Sequence, residues 1–196
     1  FFLFFLYRNE SNCLQRFNLK IRKLLPIVSE SDSLKFKNYL YAPFHGISKK
    51  RMELISRELT EQVLLAKEHI QVMQRLQWHQ HKGHTIVLLS GGFETYLKYY
   101  ASIYSIEYVI GTTFLYDNQD QFQGIGPECI GNVKVDKLRE CINLDEYDLQ
   151  NSYAYSDAES DLPMLRLVGN SFVVKNMQNI RWKEKNWEVI EITSYK

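Results

Sequence analysis

The chain has 196 residues, of which 45% are hydrophobic, and its 24 basic and 23 acidic side chains give a net charge of +1. This length is enough for the core of one globular domain with a modest insertion, and the balanced charge predicts no binding of nucleic acid through a basic surface. The three cysteines are odd in number and widely spaced, which indicates neither a disulfide framework nor a zinc site and favours a reduced, cytoplasmic setting.

The chain starts with an apolar run. Residues 1–6 are all Phe or Leu, and the run is too short to span a bilayer. We expect it to form the buried start of a helix, with no stable membrane insertion. The alternative is that this end lies against a membrane surface.

Residues 9–77 carry a helical pattern with few strand signals. Pro26 ends a first helical stretch, and Pro43 marks a short loop after a second one. Between residues 49 and 77 apolar side chains recur near the helical period, and Ser48 is placed to cap this stretch. The region predicts a small helical bundle.

A buried strand is predicted at residues 85–89, a short continuous apolar run that is typical of a parallel sheet. Ser90, Gly91 and Gly92 follow at its carboxyl end, and a helix begins near Phe93. Glycine lets a backbone approach an anion closely, and the unpaired N–H groups at a helix start favour negative charge. These three residues are therefore a candidate phosphate site, the alternative being a Ser-Gly-Gly turn without a ligand.

Lys134 and Lys137 are the candidate cations, and the preference for Lys134 rests on the family resemblance given below. A second core strand is predicted at residues 107–111, a hairpin at residues 112–126, and then a helix that starts near Lys134. A lysine at a helix start can hold positive charge against phosphate and carboxylate groups, although most lysines are merely solvated.

Two carboxylates follow the third predicted core strand, at residues 152–156. Asp157 and Asp161 lie four positions apart, just before a short apolar stretch that opens a helix. Ligands of α/β folds bind at the carboxyl edge of the sheet, and Mg²⁺ prefers carboxylate, water and phosphate oxygens. The alternative is that Asp157, Ser160 or Asp161 only caps the helix.

Strands alternate with helices to the end of the chain, with two more strands predicted at residues 171–175 and 187–192. This alternation predicts an α/β fold with an open, mostly parallel sheet flanked by helices.

Ser90, Lys134 and the stretch Tyr-Ser-Asp-Ala-Glu-Ser-Asp-Leu-Pro from Tyr155 to Pro163 occur in this order along the chain. They resemble the second, third and fourth motifs of the haloacid dehalogenase superfamily, in its phosphoserine-phosphatase-like branch (subfamily IB). The resemblance implies a Rossmannoid core formed by residues 1–8 and 78–196, with residues 9–77 inserted as a helical cap.

The resemblance also implies an activity and a set of roles. In this superfamily an aspartate attacks a phosphomonoester and forms an aspartyl phosphate, which water hydrolyses. Asp157 would bind Mg²⁺, and Asp161 would complete the metal shell or hold the catalytic lysine, Lys134. The phosphate of a small phosphorylated substrate would bind to Lys134 and to the group formed by Ser90, Gly91 and Gly92.

The cap of this branch closes over the site and reads the substrate. Tyr41, Phe44 and His45 are the candidates for contacting the substrate in this chain. The alternative is that Tyr41 and Phe44 only pack against their neighbours and that His45 has no specific role.

One motif of the superfamily is absent. No strand before Ser90 closes on Asp-x-Asp, the motif that carries the nucleophile. We interpret the sequence as a fragment, or as a chain whose first strand has been lost. The alternatives are a catalytically inactive module that binds a phosphorylated ligand and a phosphotransferase of the same fold. Neither the substrate nor the oligomeric state is predicted.

Overall fold

The computed structural model describes Leu6 and residues 33–175, 183–184 and 186–192. The predicted helical stretch that ends at Pro26 lies outside these residues, as do residues 1–5 of the apolar run. The described helices are α1 (Ser33–Tyr41), α2 (Lys49–Leu59), α3 (Ile70–His81), α4 (Glu94–Ile103), α5 (Asn132–Cys141) and α6 (Leu162–Leu165). The strands are β1 (Val87–Phe93), β2 (Tyr108–Thr112), β3 (Phe114–Tyr116), β4 (Phe122–Ile125), β5 (Tyr153–Ser156), β6 (Asn170–Lys175) and β7 (Glu188–Glu191).

The helical region before β1 matches its sequence pattern in part. The Ser48 side chain caps α2 as predicted, because its Oγ accepts a hydrogen bond from the Arg51 amide at 3.3 Å. The predicted run from residue 49 to residue 77 is not continuous, since a π-helical turn at Thr60–Leu64 and a 3-10 turn at Leu65–Lys67 separate α2 from α3. No helix in the described part of the chain is both long and apolar enough to cross a bilayer.

The strands form the predicted open, mostly parallel α/β arrangement. β1 pairs in parallel with β2, and β5, β6 and β7 form a second parallel group in that order. β3 and β4 form the predicted hairpin and are the antiparallel pair.

β1 continues through Ser90, Gly91 and Gly92 to Phe93, so these residues do not form the turn of the alternative interpretation. The ladder between β1 and β2 is irregular here, with a register shift between Leu89 and Phe93. The Thr112 hydroxyl of β2 donates a hydrogen bond to the Gly91 carbonyl at 2.9 Å, which keeps the glycines in the sheet.

β1 and β5 lie side by side and run in the same direction, although they do not pair. At their amino ends, the ring of His84 lies parallel to that of Tyr153, with centroids 6.0 Å apart. Beyond their carboxyl ends, a Cβ on Gly131 would lie 3.9 Å from the carbonyl oxygen of Ser160, and a Cβ on Gly91 would lie 3.1 Å from Ile130 Cγ2. The loop before α5 therefore joins the ends of both strands.

A cavity of about 630 Å³ separates β1 from β5. Its lining includes residues 84–89 beside β1 and residues 151–155 beside β5. The apolar run at residues 86–89 is consequently half-buried, and Thr85 is exposed. Residues 85–89 are therefore less buried than predicted, because no strand covers this edge within the described residues.

The largest apolar cluster lies between the helices before β1 and the hairpin. It contains buried residues from α1, α2, β1, β3 and β4 together with Leu6. Asn38 of α1 fastens this contact, since its Oδ1 accepts from the Ile125 amide at 2.8 Å and its Nδ2 donates to the Ile125 carbonyl at 3.3 Å. Helix α1 is thus packed directly on the hairpin.

Two histidines connect β5 to the segment before β1 through side-chain contacts. His79 of α3 lies within 2.8 Å of His84 through their Nδ1 atoms and within 2.8 Å of the Tyr155 hydroxyl through Nε2. Burial, followed by the charges of His84 and Arg75, lowers the pKa of His79 below its ordinary 6.5.

This lowered pKa predicts a loss of stability in mild acid. The unfolded chain takes up a proton at position 79 at a higher pH than the folded chain does, so the stabilisation is complete above about pH 6.5 and is lost as the pH falls through the folded pKa. Urea unfolding measured from about pH 7.5 to about pH 5 should show this decline. His79→Gln should reduce the decline, whereas His81→Gln, at an exposed position of the same helix, should not; equal pH profiles for both variants would contradict the prediction.

Candidate active site

A buried ion pair lies at the carboxyl edge of the sheet. Lys134, in the first turn of α5, contacts Asp161 Oδ1 through its Nζ at 2.6 Å, and the two side chains are only 6% and 9% exposed. Ser156, the last residue of β5, donates a hydrogen bond from Oγ to Asp161 Oδ2 at 2.6 Å. Both oxygens of Asp161 are therefore engaged by groups from two different elements.

Two features of the backbone, at Gly131 and after Ser156, help to position the side chains of this cluster. Gly131 precedes α5 with φ of 55°, a conformation in which an L side chain is strained, and it starts the helix one turn from Lys134. Ser156 Oγ also accepts a hydrogen bond from the Ala158 amide at 3.1 Å, which fixes the chain as it leaves β5. Ser156 was not predicted as a site residue, although its place in the Ser-Asp-x-x-x-Asp pattern was a usable signal.

Asp157 lies beside this cluster and is exposed. None of the hydrogen bonds or ion pairs found among the described residues involves its carboxylate. The capping alternative is not supported for Asp161, because it occupies the N-cap position of α6 without a side-chain capping bond. Asp157 is therefore an exposed carboxylate at this edge, and its binding of a cation stays a prediction.

Of the two predicted metal ligands, Asp157 fits Mg²⁺ better than Asp161 does. Mg²⁺ takes one or two carboxylates and completes its octahedron with water and substrate phosphate oxygens. Asp157 supplies one such carboxylate, while the oxygens of Asp161 already bind Lys134 and Ser156. The described residues contain no group of three His, Cys, Asp or Glu side chains that could hold a metal.

The phosphate candidates lie at the carboxyl end of β1. Ser90 Oγ accepts a hydrogen bond from the Gly92 amide at 3.0 Å, and α4 begins two residues after Gly92. The Tyr96 hydroxyl occupies the space that a Cβ on Gly92 would need. Burial raises the pKa of Tyr96, while a hydrogen bond with the Phe93 backbone acts against this rise. The contact of Tyr96 with Gly92 was not predicted from the sequence, because it depends on the path of β1.

Thr112 connects the two halves of the candidate site. Its hydroxyl donates to the Gly91 carbonyl at 2.9 Å and accepts from the Cys129 amide at 3.1 Å. The buried Cys129 lies in the loop before α5, and burial raises the pKa of its thiol while Lys137 and Lys134 oppose the rise. Gly91 is thus joined through Thr112 and this loop to the start of the helix that carries Lys134.

The structure brings some of the predicted residues into contact but not all of them. Lys134 and Asp161 are in direct contact, and Asp157 is four residues from Asp161 at the same strand end. Among the described residues no hydrogen bond joins Ser90 to Lys134 or to Asp157. The 630 Å³ cavity between β1 and β5 is lined mainly by apolar residues nearer the amino ends of the strands, and these three residues are not among them.

The three substrate-reading candidates lie in or beside the apolar cluster that contains Phe93, the last residue of β1. Tyr41 and Phe44 are 6% and 0% exposed and belong to the apolar cluster beneath the hairpin, whereas His45 is exposed and contacts Phe122, with ring centroids 5.9 Å apart. Their contact with a substrate stays a prediction. The packing around Tyr41 and Phe44 agrees with the alternative that they serve the core.

Residues 1–166 match the family model of the haloacid dehalogenase-like hydrolases. The chain belongs to this family. Named phosphatases are found among the similar sequences. A histidinol-phosphatase of Neisseria meningitidis serogroup C is 28% identical over 164 residues, covering 79% of this chain and 73% of the relative. A probable phosphatase of Mycobacterium tuberculosis is 26% identical over 117 residues, covering 59% of this chain but only 41% of the relative.

Solved structures share the fold of this haloacid dehalogenase-like chain. A protein of unknown function from Bordetella pertussis Tohama I superposes with a TM-score of 0.71 at 17% identity, covering 95% of this chain and 82% of that one. A substrate-bound phosphoserine phosphatase superposes with a TM-score of 0.52 at 13% identity, covering 70% and 62% of the two chains. At these identities the similarity concerns the fold alone.

Proposed function

We propose that this chain forms the core of a phosphomonoester phosphatase that acts on a small phosphorylated substrate with Mg²⁺. The observation that carries the proposal is the buried Lys134–Asp161–Ser156 cluster with the exposed Asp157 beside it, at the carboxyl edge of a parallel sheet. The family match and the phosphatase names of the relatives support the same reaction class.

The residues have distinct parts in the proposed reaction. An aspartate oxygen forms a bond to phosphorus as the bond to the substrate's ester oxygen breaks, and the leaving oxygen takes up a proton. Water then attacks the phosphorus of the aspartyl phosphate, which releases phosphate and restores the carboxylate. Lys134 would offset the charge of the phosphoryl oxygens, and Asp161 would hold its ammonium group in place.

Ser90, Gly91 and Gly92 would contact the phosphoryl oxygens from the end of β1. The amides near the start of α4 favour an anion there. The Gly92 amide now bonds to Ser90 Oγ, so a phosphoryl oxygen would take over this hydrogen bond. Bound Mg²⁺, held by Asp157, would neutralise negative charge on the phosphoryl group and on the attacking carboxylate.

The nucleophile must come from an Asp-x-Asp segment, and this motif does not occur within the 196 residues. We propose that the 196 residues alone bind phosphate weakly and do not turn over a phosphomonoester. The deciding assay is release of phosphate by a polypeptide that joins an Asp-x-Asp strand to this chain, with a substrate panel that includes histidinol phosphate and phosphoserine. Release that does not depend on Mg²⁺, or no release from any substrate, would contradict the proposal.

The Asp157→Asn variant tests the metal assignment in this assay. Loss of the exposed carboxylate should raise the Mg²⁺ concentration for half-maximal rate by roughly tenfold or more, because a neutral amide is a weaker ligand for a hard cation. Glu159→Gln removes an exposed carboxylate two residues away and is the matched control. An unchanged Mg²⁺ dependence in Asp157→Asn would refute its role as a ligand.

Two other functions use the same geometry. A module that only binds a phosphorylated ligand is favoured by the absence of Asp-x-Asp from the 196 residues. It would bind inorganic phosphate without turnover even when the strand is supplied. A phosphotransferase would form a new phosphate ester when an alcohol acceptor is added, which product analysis separates from hydrolysis. A cytoplasmic setting is part of the proposal and is supported by the unpaired Cys129 and Cys141.

A further inference from the structure

The Tyr96 hydroxyl lies against the candidate phosphate residues. It occupies the space that a Cβ on Gly92 would need, and Ser90 Oγ is 3.3 Å from the same Cβ position. The hydroxyls of Tyr96 and Ser90 therefore border the same face of Gly92. Gly91 is exposed, and Ser90 and Gly92 are half-buried, so this end of β1 is open to solvent.

Tyr96 also binds the first amide of α4. Phe93 is the N-cap of this helix, and Tyr96 is its third residue. The hydrogen bond with the Phe93 backbone acts to lower the pKa of Tyr96. A bond with this effect on a phenol is donated to its oxygen, so the donor is the Phe93 amide. A side chain that reaches back from the third helical position to the N-cap amide forms half of a capping box, in which the acceptor is usually Glu or Gln.

Tyrosine differs from glutamate at this position because it can also donate. An ionised carboxylate only accepts hydrogen bonds, whereas a hydroxyl that accepts a bond from an amide still has a proton to donate. Hydrogen bonds in such a chain polarise one another, so the amide at the start of α4 strengthens the Tyr96 hydroxyl as a donor. Tyr96 can therefore extend the positive end of the helix towards an anion, which a glutamate here would repel.

The hydroxyl is held in place by the fold around it. The Tyr96 ring packs against the largest apolar cluster, and Thr60 Oγ1 donates a hydrogen bond to the Tyr96 carbonyl at 3.5 Å. Burial raises the pKa of Tyr96 above its ordinary 10.0, so the hydroxyl keeps its proton in neutral solution. A donor fixed in this way loses little conformational entropy when a ligand binds.

We propose that Tyr96 is a phosphate-binding residue, whose hydroxyl donates a hydrogen bond to a phosphoryl oxygen bound at Ser90 and Gly92. The Gly92 amide binds the phosphoryl group directly, and the Phe93 amide acts on it through the Tyr96 hydroxyl. The identity of the ligand, a phosphate monoester or the phosphate released from it, rests on the proposed function. Tyr96 adds a neutral donor to the positive charge that Lys134 supplies.

The test titrates inorganic phosphate into the 196-residue chain at constant ionic strength, with binding followed by ³¹P NMR. Tyr96→Phe removes only the hydroxyl oxygen and should raise the Kd for phosphate by roughly tenfold or more, because hydrogen bonds to charged groups are the stronger ones. The matched control is Tyr99→Phe on the same helix, whose hydroxyl donates to Glu61 at 2.6 Å. Its Kd should stay within about twofold of that of the unsubstituted chain.

Two results of this titration would overturn the proposal. An unchanged Kd for Tyr96→Phe would show that the hydroxyl does not touch the bound phosphate. A lower Kd would show that the hydroxyl blocks the site and must leave before phosphate binds.

A signal from the unsubstituted chain makes the test independent of how the variant folds. In protein labelled with ¹³C at tyrosine Cζ, the Tyr96 resonance should shift as phosphate is added, and the shift should saturate at the Kd measured by ³¹P NMR. The Tyr99 resonance should not shift. A Tyr96 resonance that does not respond while phosphate binds would contradict the proposed contact.

The role of Tyr96 and the proposed function can fail separately. Weaker phosphate binding by Tyr96→Phe, without release from any substrate by the polypeptide that joins an Asp-x-Asp strand to this chain, would uphold Tyr96 and refute the phosphatase. Mg²⁺-dependent release together with equal Kd values for Tyr96→Phe and the unsubstituted chain would uphold the phosphatase and refute Tyr96. No saturable phosphate binding by the 196-residue chain would also overturn the role of Tyr96, whatever the joined polypeptide releases.

Discussion

Lys134→Ala should lower the free energy of unfolding by about 3–5 kcal/mol, because it leaves Asp161 buried without its countercharge. The two side chains are 6% and 9% exposed and their charged atoms are 2.6 Å apart, so water cannot replace the lost ammonium group without opening the site. Chemical unfolding of the chain measures this directly and does not depend on any activity.

A double-mutant cycle separates the pair from its surroundings. Asp161→Ala alone should also destabilise the chain, and the double variant should lose less than the sum of the two single losses. The matched control is Lys98→Ala, which breaks a 2.7 Å ion pair with Glu94 in which the lysine is 62% exposed, and should cost no more than about 1 kcal/mol. Losses for Lys134→Ala no larger than those for Lys98→Ala would show that the pair is not effectively buried.

Phe44→Ala should cost about 3–5 kcal/mol of folding stability, because it removes a fully buried ring from the largest apolar cluster. His45→Ala removes the adjacent exposed ring and should change stability by no more than about 0.5 kcal/mol. Unfolding in urea gives both values from the same preparation.

The same position separates packing from substrate reading. Phe44→Leu keeps much of the apolar volume and should leave the chain folded, so its effect on KM can be measured in the strand-joined polypeptide. A role in the core predicts an unchanged KM, whereas contact with the substrate predicts a raised KM. A stability loss below about 1 kcal/mol for Phe44→Ala would contradict the core assignment.

The order and type of the elements could be predicted because each has a local signal. A short continuous apolar run marked β1, the stretch with Phe114 and Phe122 around a polar tip marked the hairpin, and Ser48 marked the start of α2. The pairing of Lys134 with Asp161 was one of the two roles expected for Asp161, and the structure shows this contact.

Burial could not be predicted in the same way, because it depends on neighbours that a local pattern does not contain. Residues 86–89 have the composition of a strand covered on both sides, yet they are half-buried beside the cavity. Ser90 to Gly92 resemble a turn by composition, but pairing between β1 and β2 keeps them in a strand. The contributions of Thr112 and Tyr96 likewise arise only when distant segments meet.

The contact between Asn38 and Ile125 has a consequence for the evolution of the chain. A side chain at Gly124 would place its Cβ 2.7 Å from Asn38 Oδ1, so a larger residue at position 124 would expel the amide that binds the Ile125 backbone. Positions 38 and 124 should therefore covary among homologous sequences: where asparagine is retained at the first, glycine should be retained at the second, and the two should be replaced together.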